Sequence, residues 1–232
     1  MKIGIMQPYF FPYIGYWQLI SAVDKYVIYD DVNFIKGGWI NRNRILMNNE
    51  AKMINIQMHN ATPNKLINEI ELAEDNVFNR KLLKTIEYSY KKAPCFTIFY
   101  PIIEDIIMKD EDNLAKKLEY SIKKVCEYLD IKTQLIVSSS ISKNNYLKGQ
   151  DKVIEICKIL GSDEYYNAIG GQELYSYKDF AVEKINLRFL KTGKIEYDQF
   201  KGSFVPNLSI IDVLMFNSVE ETKKFLDKYE LL

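Results

Sequence analysis

The hydrophobic and polar positions near the start of the chain predict a strand, a helix and a second strand. Lys2–Met6 and Lys25–Tyr29 are short apolar runs, and two aspartates follow the second run. Between them, apolar residues recur at the spacing of a helix, at Ile14, Trp17, Ile20 and Val23. A helix that connects two strands in this way favours a parallel sheet with a right-handed crossover.

The middle of the chain has a different pattern. Met53–Met58 alternates like an edge strand, and Lys65–Leu72 is a candidate partner for it. Asn76–Lys92 and Leu114–Leu129 each carry one apolar stripe at helical spacing. We therefore predict a mainly helical elaboration at about residues 74–130.

Strands and helices alternate again after residue 133. The predicted elements are strands at Gln134–Val137, Glu164–Asn167 and Asn186–Leu190, and helices at Gly149–Leu160 and Gln172–Phe180. Ser209 and Ser218 are each followed three residues later by an acidic residue, a pattern typical of a capping box at the start of a helix. The whole pattern predicts one three-layer α/β domain over residues 1–232, with a mostly parallel sheet.

Composition and charge exclude several classes of protein. The 31 Lys and Arg balance the 31 Asp and Glu, so the chain lacks the basic excess that broad nucleic-acid binding needs. One histidine and three scattered cysteines form neither a metal motif nor a disulfide framework, so we expect no metal, no cofactor and a reducing cytoplasm. No apolar run reaches the roughly 18 residues of a membrane span, and no signal peptide is predicted.

The loop after the first predicted strand combines aromatic residues with an amide. Gln7 follows a buried strand, so its amide needs a polar partner. Tyr9, Tyr13 and Tyr16 crowd the same loop, which two prolines stiffen. Because open α/β sheets bind ligands beyond the carboxyl ends of their strands, we expect this loop to contact a ligand. The alternative interpretation is a hydrophobic plug over the end of the sheet.

A second polar set follows the second predicted strand. Asp30 and Asp31 stand at its tip, and a Gly-Gly pair comes shortly after them. Basic and amide residues surround that pair, at Lys36, Arg42, Asn43 and Arg44. Arginine holds phosphate through paired N–H donors and a carboxylate holds an amine, so this set suits an anionic ligand that carries an amine. The alternative is a solvated loop that salt bridges hold together.

Two further loops give weaker signals. Hydroxyl-rich positions precede a predicted helix and could receive a phosphate, at Ser138, Ser139, Lys148 and Asp151. A tight turn at Asn167, Gly170 and Gly171 could bring the backbone close to a ligand. Ordinary capped loops are the alternative for both, and helix capping is the favoured interpretation of Ser209 and Asp212.

Four blocks of sequence together resemble the WbqC-like family. They are MQPYFFPYIGYWQLI at 6–20, VIYDDVNFIKGGWINRNRI at 27–45, KGQDKVIEICKILGSDEYYNAIGGQELY at 148–175 and FVPNLSIIDVL at 204–214. The resemblance is weakest over residues 50–130. It implies a role in the biosynthesis of O-antigen or related surface polysaccharides, and it suggests a glycine transferase that acylates an amino sugar.

A fainter analogy concerns the fold. The order and spacing of residues in the first block resemble the strand-turn-helix motif of nucleotidylyltransferases. This resemblance implies a Rossmann-like sheet. In this analogy Ser138–Lys143 takes the place of a second catalytic loop. The histidines of that motif are absent, and Tyr13 and Tyr16 stand nearby instead.

Three functions remain open from the sequence. The first is a transferase that moves an aminoacyl group, from a donor such as glycyl-tRNA or another activated glycine, to the amine of a nucleotide-linked amino sugar. In it, Asp30 or Asp31 takes the amine's proton, the basic residues hold the diphosphate, and Gln7 faces the oxyanion with the Gly170-Gly171 amides. The others are an ATP-dependent ligase that activates the amino acid, and a non-catalytic protein that binds the sugar nucleotide.

Overall fold

The computed structural model of the protein describes residues 1–73 and 76–232. Its strands are β1 (Lys2–Met6), β2 (Lys25–Ile28), β3 (Arg42–Met47), β4 (Glu50–Asn55), β5 (Met58–His59), β6 (Glu71–Leu72), β7 (Gln134–Val137), β8 (Glu164–Ala168), β9 (Asn186–Thr192) and β10 (Tyr229–Leu231). Its helices are α1 (Ile14–Ser21), α2 (Asn76–Tyr90), α3 (Phe96–Met108), α4 (Leu114–Tyr128), α5 (Gly149–Ile159), α6 (Tyr177–Val182), α7 (Ile210–Phe216) and α8 (Val219–Leu226).

The main sheet confirms the predicted fold class. Among the described residues its strand order is β10-β9-β8-β1-β2-β7. All neighbouring strands are parallel except β10, which runs antiparallel to β9. On one side of β1 lie β2 and then β7, and on its other side lie β8, β9 and β10. This is the strand order of a Rossmann-like fold, whose topological switch point lies between β1 and β8.

The parallel strands of the sheet contribute side chains to two cores, which explains their short apolar runs. In β1, Ile3 and Ile5 pack with α5 and α6 on one face. Gly4, between them, leaves room on the other face for Tyr26, whose ring would lie 3.1 Å from a Cβ at that position. The larger core on that second face contains α1, α7, α8 and the helices α2 to α4. The protein is therefore a three-layer structure, with helices on both faces of the sheet.

The helical elaboration is present, with one helix more than the pattern predicted. α2 and α4 match the two predicted amphipathic segments, while positions 74 and 75 of the predicted range lie outside the described residues. α3 escaped prediction because Pro101 lies inside it and most of its residues are apolar, which hides the stripe.

The predicted pairing in the 50–72 region was wrong in its partners. β4 pairs with β3, and from this region Met58 and His59 pair with Glu71–Leu72. The reason is the turn between β3 and β4, where Asn48 and Asn49 both have positive φ, at 53° and 64°. Two such residues form a tight hairpin, which pairs β4 with the strand just before it.

The C-terminal part required two corrections. Instead of one helix over Gln172–Phe180, a 3-10 segment (Ile169–Leu174) precedes α6, which Ser176 caps. Ser218 and Glu221 form the predicted capping box. Ser209 also caps α7 as predicted, accepting from the Ile211 N–H at 3.2 Å, but Asp212 does not complete a capping box with it. None of the helices within residues 1–73 and 76–232 is long and apolar enough to cross a membrane.

Candidate functional site

The loop between β1 and α1 covers the carboxyl end of the sheet and is fixed by hydrogen bonds. The Tyr16 hydroxyl donates to the carbonyl of Gln7, at 3.0 Å, and Trp17 Nε1 donates to the carbonyl of Pro12, also at 3.0 Å. From outside the loop, Asn43 Nδ2 and Ser209 Oγ both donate to the carbonyl of Phe11. These contacts tie the loop to the start of β3 and the start of α7, so its shape is set without a ligand.

Tyr13 sits at a crowded point of this loop. A Cβ on Gly15 would lie 2.5 Å from Tyr13 Cε2 and 2.4 Å from Thr192 Oγ1, so only glycine fits there. The Tyr13 ring therefore lies between α1 and the carboxyl end of β9. Burial raises the pKa of the Tyr13 phenol, which the nearby Thr192 hydroxyl partly offsets, so Tyr13 is a neutral donor at neutral pH.

A cavity of about 310 Å³ opens between this loop, β3 and the segment before α7. We call it the Arg44 cavity. Its lining residues are Tyr9, Pro12, Tyr13, Trp39, Asn43, Arg44 and Asn207. Four of them, Tyr9, Tyr13, Asn43 and Arg44, are among the predicted site residues. The structure thus brings together parts of both predicted loops.

Arg44 is the main charged group of this cavity. Its guanidinium lies 5.4 Å from the centre of the Trp39 ring, and its Nη2 donates to the carbonyl of Asn207 at 3.3 Å. Its Nε is buried and has no hydrogen-bond partner among the described residues. Within the described part of the chain, no carboxylate lines the cavity. An arginine with a spare donor and no acidic partner is suited to an anion.

The aromatic walls add donors but no further charge. Burial is the main cause that raises the pKa of Tyr9, with smaller contributions from Tyr13 and Tyr175. The phenols of Tyr9 and Tyr13 are therefore both neutral at neutral pH, and they can donate to a phosphate or a sugar hydroxyl. The Tyr9, Tyr13 and Trp39 rings also offer flat apolar surface. The cavity therefore suits a ligand that combines an anion with a planar or sugar ring.

The predicted carboxylates lie apart from the lining of this cavity and have protein partners. Asp30 accepts from the main-chain N–H of Ser139 at 2.9 Å and from its hydroxyl at 2.6 Å. Asn68 Nδ2 approaches the same carboxylate at 3.4 Å. These contacts connect the tip of β2 to the turn after β7.

Asp31 is the centre of a buried ion cluster. Its Oδ2 lies 2.7 Å from Lys143 Nζ and 3.1 Å from Lys152 Nζ, and the three side chains are at most 9% exposed. Lys152 also donates to the Asp31 carbonyl at 2.8 Å and lies 5.4 Å from the centre of the Tyr29 ring. The Asp31 carboxylate, which we expected to hold an amine of the ligand, is thus neutralised by two lysines of the protein.

The remaining residues of the first two predicted loops are dispersed. Gln7 is half-buried, and Tyr16 is fully buried in the core. Arg42 Nε donates to the carbonyl of Gly38 at 2.9 Å, and its Nη2 donates to Gly37, so it stabilises its own turn. Lys36 is exposed on that turn.

The two weaker predicted loops lie outside the lining of the Arg44 cavity. Asn167, at the end of β8, donates to the Tyr175 hydroxyl at 3.3 Å and packs against Gly171, where a Cβ would lie 2.8 Å from its Oδ1. Gly170 is exposed. In the other loop, Ser138 is buried and Ser139 binds Asp30, while Lys148 and Asp151 are exposed on either side of the start of α5.

Sequence reasoning missed several residues that matter. Trp39 and Asn207 line the cavity, and both lie within blocks that carry the family resemblance. Lys143 and Lys152 neutralise Asp31, which no local pattern indicates. His59 is exposed on β5 and lies outside the cavity lining. Within residues 1–73 and 76–232, no group of three or more His, Cys, Asp and Glu side chains could hold a metal ion.

The fold and the cavity define a Rossmann-like α/β protein with a cationic, aromatic-lined site beyond the carboxyl ends of its strands. The chain belongs to the WbqC-like protein family, whose model matches residues 7–224. It is also similar to the uncharacterized protein Rv1507c of Mycobacterium tuberculosis (strain ATCC 25618 / H37Rv), with 27% identity over 236 residues that cover 97% of each chain. No solved structure matches the chain.

Proposed function

We propose that this protein is a transferase that attaches an aminoacyl group, most simply glycyl, to the amine of a nucleotide-linked amino sugar in surface polysaccharide biosynthesis. The observation that carries the proposal is Arg44, a cation with a buried, unpartnered Nε in a cavity walled by aromatic rings. An arginine and neutral phenols suit the phosphate of a sugar nucleotide, and the rings suit its base or sugar.

In this reaction the protein forms no covalent bond with either substrate. A deprotonated amine attacks the acyl carbonyl, an oxyanion forms, and the leaving group departs. The protein orients the two reactants and donates hydrogen bonds to the oxyanion. Tyr9 and Tyr13, as neutral phenols, are candidate donors within the cavity.

A proton acceptor is also needed, and Asp30 and Asp31 are the candidates from the sequence. Asp31 is ion-paired with two ammonium groups, so an incoming amine would have to displace a buried lysine to reach it. The partners of Asp30, Ser139 and Asn68, are neutral and can rearrange without separating an ion pair. Asp30 therefore stays the candidate acceptor, and because it lies outside the lining of the Arg44 cavity, the amine's proton must reach it through an intervening group.

A non-catalytic sugar-nucleotide carrier is the second candidate function. The observation that favours it is that Asp30 and Asp31 both have protein partners and lie outside the lining of the Arg44 cavity. The residues Tyr9, Tyr13 and Arg44 would serve the same binding role in it.

Mass spectrometry of reaction mixtures separates these functions. Each mixture contains the protein, a nucleotide-linked amino sugar and either glycine with ATP, glycyl-tRNA or a glycyl thioester. We expect the acceptor to gain one glycyl residue with a preactivated donor and without release of AMP. AMP release that depends on the acceptor would instead indicate a ligase. Binding of the sugar nucleotide without product from any donor would contradict the transferase and favour the carrier.

A further inference from the structure

A second cavity, of about 520 Å³, adjoins the Arg44 cavity, and Asn207 lines both. We call it the Ile195 groove. Its apolar walls are Ile14, Ile195, Phe204, Pro206, Leu208 and Val213. Its volume lies within the range of about 300–1,000 Å³ that small-molecule sites occupy. The proposed function does not use this groove.

One wall of the groove is a strand-like segment with unused main-chain groups. After β9, the Gly193 N–H donates to the carbonyl of Lys228, and the chain then leaves the sheet. Side chains over residues 194–198 alternate, with Ile195 and Tyr197 half-buried and their neighbours exposed. Within the described chain, residues 194–198 make no main-chain hydrogen bond to other main-chain groups. Such a segment can pair with the amides of an extended ligand.

The groove is held open by a buried carboxylate. Asp212 Oδ2 accepts from the Tyr197 hydroxyl at 2.6 Å and from Gln199 Nε2 at 2.7 Å. Gln199 also pairs with Val205, accepting from its N–H at 2.8 Å and donating to its carbonyl at 3.1 Å. These bonds fix both ends of the loop that carries Phe204. The groove is therefore shaped before any ligand arrives, which lowers the entropy lost on binding.

We propose that the Ile195 groove binds the pantetheine arm of a thioester acyl donor, either coenzyme A or a carrier protein. The inference rests on the proposed function and names its second substrate. A pantetheine arm is narrow, with two amides that can pair with the segment 194–198 and aliphatic carbons that suit the apolar walls. Because Asn207 lines both cavities, the thioester and the sugar amine would meet at their junction.

The lack of excess positive charge around the groove favours a thioester donor over an aminoacyl-tRNA. Lys194 and Glu196, the charged residues of its rim, form an ion pair at 3.1 Å. The whole chain has no net charge. A tRNA acceptor stem is held mainly by an excess of Lys and Arg on its phosphates, which this rim lacks.

The transfer balances without a further reactant. The amine nitrogen attacks the thioester carbonyl, the C–N bond forms and the C–S bond breaks. The sulfur leaves as a thiolate and ends as the free thiol once it gains the proton that the amine lost. Activation of the amino acid has already occurred when the thioester forms, so no ATP is consumed in this step.

Calorimetric titration of pantetheine, coenzyme A and a holo-acyl carrier protein tests the proposal. We expect the parent protein to bind pantetheine, and Ile195→Trp, which fills the groove, to weaken this binding at least about tenfold. Lys191→Ala, at an exposed position of β9 outside the groove lining, is the matched control and should bind as the parent does. Tighter binding of either larger ligand identifies the source of the arm.

Binding of a sugar nucleotide by the same variants keeps the two proposals separate. Ile195→Trp should bind it as the parent does, which also shows that the variant is folded. If that variant does not fold, Phe204→Ala, which removes a wall of the groove, replaces it and should also weaken pantetheine binding. Equal binding of pantetheine by parent and variant, or transfer from glycyl-tRNA but not from a glycyl thioester, would overturn the thioester donor and leave the transferase proposal intact.

Discussion

Asp31 shows how a single buried residue at the sheet edge contributes to stability. Burial alone would raise the pKa of its carboxyl, but contacts with Lys143, Ser138 and Lys152 outweigh burial and hold the pKa below its ordinary value. A carboxyl with a lowered folded-state pKa stabilises the protein above its unfolded-state pKa, and this contribution disappears as the pH falls through the folded-state value. The ion cluster is thus a source of stability at neutral pH that acid removes.

Asp31→Asn should therefore destabilise the protein in a pH-dependent way. We expect a loss of about 3–5 kcal/mol in the free energy of unfolding at pH 7, because two buried ammonium groups lose their counter-ion. The difference from the parent should begin to shrink below about pH 4, where Asp31 becomes protonated in the unfolded parent, and should shrink further as the pH falls toward the lowered folded-state pKa. Urea unfolding from pH 7 to pH 3 measures both values. Asp198→Asn, on an exposed residue, is the control, and a difference that does not change with pH would contradict the account.

At the scale of elements, one buried network joins three parts of the larger core. Tyr90, on α2, accepts from the main-chain N–H of Leu46 on β3 at 2.8 Å. Its hydroxyl donates to Asp212 Oδ1 on α7 at 2.7 Å. Burial raises the pKa of Asp212, and hydrogen bonds from Tyr197, Tyr90 and Gln199 oppose that rise. Both oxygens of this carboxylate therefore depend on donors from other elements.

Tyr90→Phe should reveal the strength of this network. The change leaves the Leu46 N–H and one Asp212 oxygen without a partner, so we expect a loss of about 1–3 kcal/mol in the free energy of unfolding. Urea denaturation with fluorescence detection measures it. Tyr88→Phe, on the same helix but 61% exposed, is the matched control and should stay within about 0.5 kcal/mol of the parent. Equal losses in the two variants would contradict a specific role for the Tyr90 hydroxyl.

The sequence predicted elements well where local pattern decides them. The spacing of apolar residues predicts the parallel strands and the helices α2, α4 and α5. The acidic residue Glu221, three positions after Ser218, predicts the capping box of α8. Asp212 has the same local pattern as a capping residue, yet it binds Tyr90 and Tyr197 from distant parts of the chain. Local pattern carries no information about such partners, so the capping interpretation of Asp212 was wrong.

The candidate site was predictable to a similar extent. Tyr9, Tyr13 and Arg44 come together because their loops leave the same edge of the sheet. Arg42 lies two residues from Arg44 and looks equivalent in the sequence, but it turns back onto the carbonyls of Gly37 and Gly38. Side chains two apart on a strand share a face, so the strand pattern alone does not distinguish the two arginines.

At the scale of the whole molecule, the strand order places the site. The strands that follow β1 in the chain, β2 and β7, lie on one side of it, whereas β8, β9 and β10 lie on the other side. The loop after β1 covers the switch point between β1 and β8. The Arg44 cavity and the Ile195 groove lie beside that loop and share Asn207. Two reactants can therefore approach one another from adjoining cavities, which is the arrangement that a group transfer requires.

The proposed function depends on Arg44 as the group that binds the phosphate of a nucleotide-linked sugar. Calorimetric titration with a panel of nucleoside-diphosphate-linked amino sugars measures this binding. The parent protein should bind at least one of them. Arg44→Gln should weaken that binding about 10- to 100-fold, because a charge-assisted hydrogen bond contributes about 1.5–3 kcal/mol. Arg42→Gln, which changes the neighbouring arginine outside the cavity, should stay within about threefold of the parent. Unchanged binding in Arg44→Gln, or an equal loss in Arg42→Gln, would contradict the account.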